Sequence, residues 1–313
     1  MIDILLATYN GEKYLADQIE SIENQTYKNF RILVRDDGST DNTMGIIEKY
    51  TSKYDNIFLI KDNISCKSAK RNFFELMKHS TADYIMFCDQ DDIWLENKIE
   101  IMYNKMILSE KIYMDSPILV ASNQTVVDYK LQKMHRMSMK YDETRLKLNH
   151  LLVDNVIPGC TMMFNKKLLT NIKYINMDDI IMHDWWIVLN AICFGKIVIL
   201  NDELMLYRQH SNNESGAAQK NNVKLYLNKF RNKSFNDSYN KLWKQSFEFF
   251  SCYKESLDEN TKNIIIKFIN LKHKNKISRI YITIKNNFFK SGIVRQIGQL
   301  FFLFIWNSGR GEN

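Results

Sequence analysis

The sequence predicts an α/β fold, a mixed central sheet flanked by helices, followed by a helical C-terminal extension. Three observations predict it. Short, continuous apolar runs alternate with stretches of helical spacing over the first two thirds of the chain, the pattern of parallel strands covered on both faces. Three of those runs end in polar clusters, "TYNGEK", "RDDGSTDNT" and "CDQDDIW". Beyond about Asn221 the strand signal fades into helical patterning rich in Lys, Asn and Phe.

The elements follow in order. "IDILLATY" is a buried strand, and "GEKYLADQIESIENQT" places Tyr14, Leu15, Ile19 and Ile22 near helical spacing. "FRILVRD" is the second strand. "STDNTMGIIEKYTSKY" reads as a capped helix with Ser39, Thr40 or Asp41 near its start. "NIFLIKD" is a short third strand, "SAKRNFFELMKHS" a helix, "DYIMFCD" the fourth strand and "LENKIEIMYNKMILSE" the helix after it. "PILVASNQTVVD" and "GCTMMFN" are strands, "DWWIVLNAICFG" is a helix ending at Gly195, and "KIVILNDELMLYRQH" reads as paired strands. The expected division is an α/β domain over 1–219 and a basic, mostly helical extension over 220–313.

Composition narrows the function. The 313 residues are 45% apolar and 25% charged, with prolines only at 117 and 158, so a long Pro-rich linker is excluded. Residues 220–313 carry 18 Lys/Arg against 6 Asp/Glu; that net of +12, in a chain of +7, leaves −5 for residues 1–219. Such asymmetry points to an anionic partner for the tail. No nucleic-acid-binding module or aromatic-glycine signature accompanies the basic residues, so nucleic acid is not the expected partner. Five cysteines, with no CxxC pair, argue against zinc or a disulfide framework and for a reducing, cytoplasmic location. "MIDILLATYN" lacks the basic start of a signal peptide, and "IGQLFFLFIW" is about half the length that spans a bilayer.

The polar ends carry the chemistry. Ligands of open parallel sheets bind beyond the carboxyl ends of the strands. In "CDQDDIW", helix capping accounts for Asp91 or Asp92 but not also for Asp89. A hard divalent cation accounts for the cluster, and the D-x-D spacing puts Asp89 and Asp91 on one side of an extended segment. In "RDDGSTDNT", Asp36 and Asp37 precede a turn at Gly38 and are placed to accept hydrogen bonds from a base or a ribose. The Gly-rich fingerprint of a dinucleotide fold is absent, since Tyr9-Asn10-Gly11 follows the first strand. "MHDWWIV" sets His183 and Asp184 before an aromatic helix; a carboxylate at a cleft suits a general base, while the pair also fits a structural role. In "LYRQHSNNESG", Arg208 and His210 share a face of an extended chain and suit a diphosphate, or else belong to a polar loop.

With these pieces assembled, "ATYNGEKYLADQIESIENQTYKNFRILVRDDGSTDNT" and "DYIMFCDQDDIW" resemble the signatures of family 2 glycosyltransferases, nucleotide-sugar-dependent enzymes of the GT-A fold. "GCTMMFNKKLL", "HDWW" and "YRQHSNN" are similar to a bacterial subgroup that includes polysaccharide rhamnosyltransferases, and the resemblance covers about residues 1–215. It implies that Thr8, Tyr9 and Asn10 line a nucleotide pocket, with Asp36 and Asp37 at the base and Arg71 and Asn72 nearby. It implies Asp89 at the ribose or metal, Asp91 as ligand of Mg²⁺ or Mn²⁺, and Asp92 as an orienting residue or helix cap. Gly159, Cys160 and Thr161 would border the donor sugar, with His183, Trp185, Arg208 and His210 around the donor and acceptor, and Asp184 would be the base. The family's Q-x-x-R-W motif is absent, so processive synthesis is not expected. The implied reaction is inverting transfer from dTDP-L-rhamnose to a cell-surface polysaccharide or lipid-linked oligosaccharide. UDP-hexose or UDP-N-acetylhexosamine donors are the alternative, and a non-catalytic nucleotide-binding protein is the second. The basic, apolar segment "RIYITIKNNFFKSGIVRQIGQLFFLFIW" suits peripheral contact with the inner face of the cytoplasmic membrane, or else packs Phe301, Phe302 and Phe304 on the chain or a second subunit.

Overall fold

A computed structural model describes residues 1–62, 64–134, 142–173, 177–210 and 234–306. The chain forms two compact units. The first comprises residues 1–141, 157–172 and 182–217, and the second residues 142–156, 173–181 and 218–313. Readings that fall on the "SNNESG" stretch and on the expected boundary at 219/220 lie outside the described residues.

In the first unit, β1 (Ile2–Thr8), α1 (Leu15–Glu23), β2 (Phe30–Asp36), α2 (Thr43–Lys53), β3 (Ile57–Leu59), α3 (Ala69–His79) and β4 (Tyr84–Cys88) alternate as the apolar runs predict. β2 and β4 flank β1, β3 lies outside β2, and all four strands are parallel. Their carboxyl ends therefore share one rim. Ile4, Leu5 and Leu6 are fully buried although successive side chains face opposite ways, so both faces of β1 are covered. Each such side chain contributes about 1.5–3 kcal/mol relative to exposure.

The sheet continues through β5 (Ile93–Trp94), α4 (Lys98–Ile112), β6 (Ile118–Val127), then β7 (Met162–Asn165), α6 (Lys166–Asn171), α7 (His183–Phe194) and β8 (Lys196–Arg208); the intervening α5 (Leu148–Leu151) belongs to the second unit. β7 runs antiparallel to β4 and β6, which makes the sheet mixed. The final order is β3-β2-β1-β4-β7-β6-β8-β5. Gly195, which ends α7, is required by close approach: a Cβ there would lie 2.0 Å from the Pro117 carbonyl oxygen.

Two local expectations differ from the structure. "KIVILNDELMLYR" is one strand rather than a pair. Ala121 pairs with Ile199 but Asn123 with Glu203, so a bulge at Asn201-Asp202 takes up two extra residues without reversing the chain. The α2 N-cap is Asn42, and the Asp41 carboxylate instead accepts from the Thr43 N–H at 3.0 Å just inside the helix.

The second unit contains α5, α8 (Ser234–Tyr253), α9 (Glu259–Ile269), α10 (Lys276–Lys285) and α11 (Ile293–Ile305). Residues 142–156 join it through polar anchors. Asp154 takes a bidentate pair from Arg295, both bonds 2.8 Å, and His150 meets the Phe289 carbonyl at 3.2 Å. The buried Arg279 donates to the carbonyls of Leu271 and Trp306 and lies 4.2 Å from the Trp306 ring centre. No helix among the described residues is long and apolar enough to cross a membrane.

Candidate active site

Beyond the carboxyl ends of β1, β2 and β4 lies a cavity of about 510 Å³. Its walls come from Ala7–Tyr9, Asp37 and Gly38, the approach to α3, Asp89–Asp91, Pro158–Cys160, Met182–Asp184 and Tyr207.

One side is built from β1, β2 and α3. The buried Thr8 hydroxyl donates to Asp36 at 2.8 Å, while the second Asp36 oxygen accepts from the N–H groups of Gly38 and Ser39. Asp36 is thereby committed to shaping the turn and does not line the cavity. Asp37 does, and its carboxylate holds the next loop by accepting from the N–H groups of Cys66 (2.5 Å) and Ser68 (3.0 Å). Asn10 adopts a left-handed backbone at φ 48° and accepts from the Thr40 N–H at 2.8 Å, tying the first loop to the second without itself lining the cavity. The buried Asn72 lies at the wall, where it accepts from Arg35 and donates to the Arg35 carbonyl. Arg71, beside it, is not part of the lining. Tyr9 is 56% exposed, and its backbone is clasped by the Gln90 amide, which accepts from its N–H and donates to its carbonyl, both at 2.9 Å.

The acidic strand end is graded by depth. Asp89 and Asp91 line the cavity. Asp91 Oδ2 lies 2.7 Å from His210 Nε2, and the His210 ring stacks on Tyr14. Asp92 is fully buried. It accepts from the Arg208 N–H at 3.1 Å, and its other oxygen has no hydrogen-bond partner among the described residues. Burial first, then the nearby Asp91 and Asp89, push its carboxyl well above the usual range. Asp92 is not the cap of α4, whose N-cap is Asn97; what it holds is the Arg208 backbone N–H. Arg208 does not line the cavity. Its guanidinium donates to the Asp91 carbonyl at 2.9 Å, pairs with Asp17 at 3.3 Å and lies over Tyr14, so it braces the strand ends from behind.

Lys98, fully buried on α4, is a member of this group that sequence reasoning missed. Its ammonium donates to the Cys160 carbonyl at 2.6 Å and sits 3.9 Å from the Trp94 ring centre. Burial lowers it to about 8, against the opposing pull of Cys160, Cys88 and Asp92. Nothing in "LENKIE" distinguishes it from a solvated helix lysine. Gln90 and Tyr207 also line the cavity and were missed; the strand end marked only the position of Gln90, between two acids.

A cation fits this place: an orphaned carboxylate oxygen lies beside two further carboxylates. Ligand atoms of Asp89, Asp92 and Cys160 lie within 4.8 Å of one another, and Asp91 with His210 offers an oxygen and a nitrogen on the same strand ends. Burial and the acids hold the Cys160 thiol well above its ordinary range, and a sulfur is in any case a poor ligand for a hard cation.

Across the cavity, Asp184 opens α7. One oxygen accepts from the Gly159 N–H at 3.1 Å and the other from the Trp185 N–H at 2.6 Å. Gly159 packs closely: a Cβ there would lie 3.1 Å from His183 Nε2 and 3.3 Å from Asp184 Cβ, so those side chains would have to give by a few tenths of an ångström. His183 stacks on Phe73 at 4.1 Å and meets Phe87 edge-on at 4.8 Å. Burial alone lowers it to about 3, so its ring is a neutral wall. Cys160 is part of the lining. Thr161 and Trp185 are not; the Thr161 hydroxyl donates to the Pro158 carbonyl at 2.7 Å.

A parallel half, β3 to β4, joined through the antiparallel β7 to a mixed half, with acids at the carboxyl rim, defines the GT-A class. The sequence profile of glycosyl transferase family 2 matches residues 3–171, and the chain belongs to that family; it is a glycosyltransferase. The dTDP-rhamnosyl transferase RfbG of Shigella flexneri is 30% identical over 261 residues, 77% of this chain and 86% of that one. The UDP-Glc:alpha-D-GlcNAc-diphosphoundecaprenol beta-1,3-glucosyltransferase WfgD of Escherichia coli is 29% identical over 127 residues, 41% of this chain and 49% of that one. In fold, S. aureus TarS 1–349 in complex with UDP-GlcNAc aligns with a TM-score of 0.57 and 17% identity, over 91% of this chain and 80% of that one.

Proposed function

We propose that the chain is an inverting transferase that moves L-rhamnose from dTDP-L-rhamnose to a hydroxyl of a growing polysaccharide or lipid-linked oligosaccharide. The observation that carries the transfer reading is one cavity lined both by the acidic strand end, Asp89 to Asp91, and by Asp184. The similarity to RfbG supports the rhamnosyl donor. The acceptor named for WfgD supports a lipid-linked acceptor. Such an acceptor draws the enzyme to the inner face of the cytoplasmic membrane as a peripheral protein.

The nucleotide occupies the side made by Thr8, Tyr9, Asp37 and Asn72, with Tyr9 offering an exposed ring to the base. Asp89 and Asp91 would hold Mg²⁺ or Mn²⁺, and that cation would supply charge neutralisation for the departing diphosphate. Asp184 takes the proton of the acceptor hydroxyl. The acceptor oxygen forms its bond to the anomeric carbon as the bond to the diphosphate breaks. The two backbone N–H groups on Asp184 fix its carboxylate during that step. A single displacement inverts the anomeric centre, so a β-linked donor gives an α-L-rhamnoside.

Asp184→Asn tests the role of the base. Donor binding, read by thermal shift with Mn²⁺, stays within a few-fold of the parent, while turnover falls by about 10²–10⁴. Full activity in the variant removes Asp184 as the base. Scoring the nucleotide released from a donor panel separates dTDP-L-rhamnose from UDP-sugars. The UDP-GlcNAc complex of the TarS fold is what favours that second reading, and turnover with UDP-sugars alone would replace the rhamnosyl assignment.

A further inference from the structure

In α10, Ile277, Tyr281 and Ile284 are 78%, 60% and 55% exposed. At about 100° per residue they fall on one narrow stripe. The exposed positions of α11 are apolar too: Ile293, Val294, Ile297, Phe301, Phe304 and Ile305 lie within an arc of about 120°. The opposite face of α11 is buried, with Phe302 stacked on Tyr239 at 4.7 Å. Lys276 Nζ lies 5.7 Å from the Phe304 ring centre, so the start of α10 meets the end of α11 at the exposed edge, and the two stripes join.

Charge identifies the occupant. Residues 260–311 contain no Asp or Glu. Lys276 and Lys285 flank the α10 stripe on either side, both exposed, with Lys274 just before it. An apolar stripe bordered by lysines free of acidic neighbours in sequence matches an anionic bilayer: apolar side chains enter the acyl boundary while lysine stems reach back to the headgroups. A protein partner of ordinary mixed charge gives no reason for such a complete absence of acids.

We propose that α10 and α11 form an interfacial docking element that lies flat on an anionic lipid bilayer. This deepens the peripheral-membrane part of the proposed function, and its test does not use activity. The full chain is co-sedimented with vesicles of phosphatidylglycerol and phosphatidylethanolamine, and with phosphatidylcholine alone. Partition into the anionic vesicles is expected to be at least about tenfold higher and to fall with salt. Lys274→Gln, Lys276→Gln and Lys285→Gln each weaken it by about fivefold. The combined change Ile277→Ser, Ile297→Ser and Phe304→Ser abolishes it, with donor thermal shift unchanged. Equal partition into both vesicles, or binding that survives the serine variant, would overturn the proposal. So would a concentration-dependent dimer that the serine variant dissociates, because a second copy then covers the face.

Discussion

Lowering the pH from 7 to 5 should destabilise the chain through His183. Its ring is packed between Phe73 and Phe87, and neither nitrogen has a hydrogen-bond partner among the described residues. Burial lowers it to about 3 from an ordinary 6.5. The folded state therefore stays neutral where the unfolded chain takes up a proton. Stability is unaffected above about pH 6.5 and is lost progressively as the pH falls from there towards 3. Between pH 7 and 5, linkage gives a loss of about 2 kcal/mol. His183→Leu keeps an apolar filler between the two rings and removes both orphaned nitrogens. Urea denaturation followed by tryptophan fluorescence, at both pH values, isolates the effect, because other titrating groups are common to parent and variant. The parent should lose about 2 kcal/mol more than the variant, and at pH 7 the variant should be at least as stable. Equal losses in the two proteins would refute a buried neutral histidine.

Three other perturbations bear on the cavity. Gly159→Ala places a Cβ 3.1 Å from His183 and 3.3 Å from the Asp184 Cβ; turnover should fall at least about tenfold, with donor affinity nearly intact, as the carboxylate shifts by tenths of an ångström. Asp91→Ala should abolish metal-dependent donor binding in the thermal-shift panel while leaving the free energy of urea unfolding without ligand within about 0.5 kcal/mol of the parent. Gly195→Ala forces a Cβ to 2.0 Å from the Pro117 carbonyl oxygen, and chemical denaturation should register a loss of about 1–3 kcal/mol.

The parallel half of the sheet was legible because β1, β2 and β4 are buried on both faces and so read as continuous apolar runs. The D-x-D spacing and the Asp184 helix start were legible because each lies beside an apolar element that fixes where it points. Long-range polar partnerships were not. Asp154 reads as an ordinary acid until Arg295, 141 residues later, closes a bidentate pair on it. Arg208 reads as a phosphate ligand because alternation predicts which face it takes, yet says nothing of the Asp91 carbonyl and Asp17 that occupy its guanidinium. The single strand β8 was hidden for a related reason. Asn201-Asp202 has the composition of a turn, and only pairing with β6 makes it a bulge.

Three acids within four positions would repel one another if all faced the same surroundings; here each is stabilised differently. Asp92, at the greatest depth, is held towards its protonated form by burial and by its two neighbours. Lys98 lies among the same buried groups, and its ammonium draws on Asp92 and Asp89. Asp91 faces the His210 imidazole. Removing Lys98 would thus strip positive charge from beneath the cluster, and removing Asp92 would free the Arg208 backbone that carries the chain to His210. A hard cation favours carboxylate and imidazole over sulfur, so Asp91, with Asp89 or His210, is a better seat for Mg²⁺ or Mn²⁺ than the trio that includes Cys160. Cys160→Ser discriminates the two: Mn²⁺-dependent donor binding should persist within a few-fold, and its loss would move the cation to the deeper position.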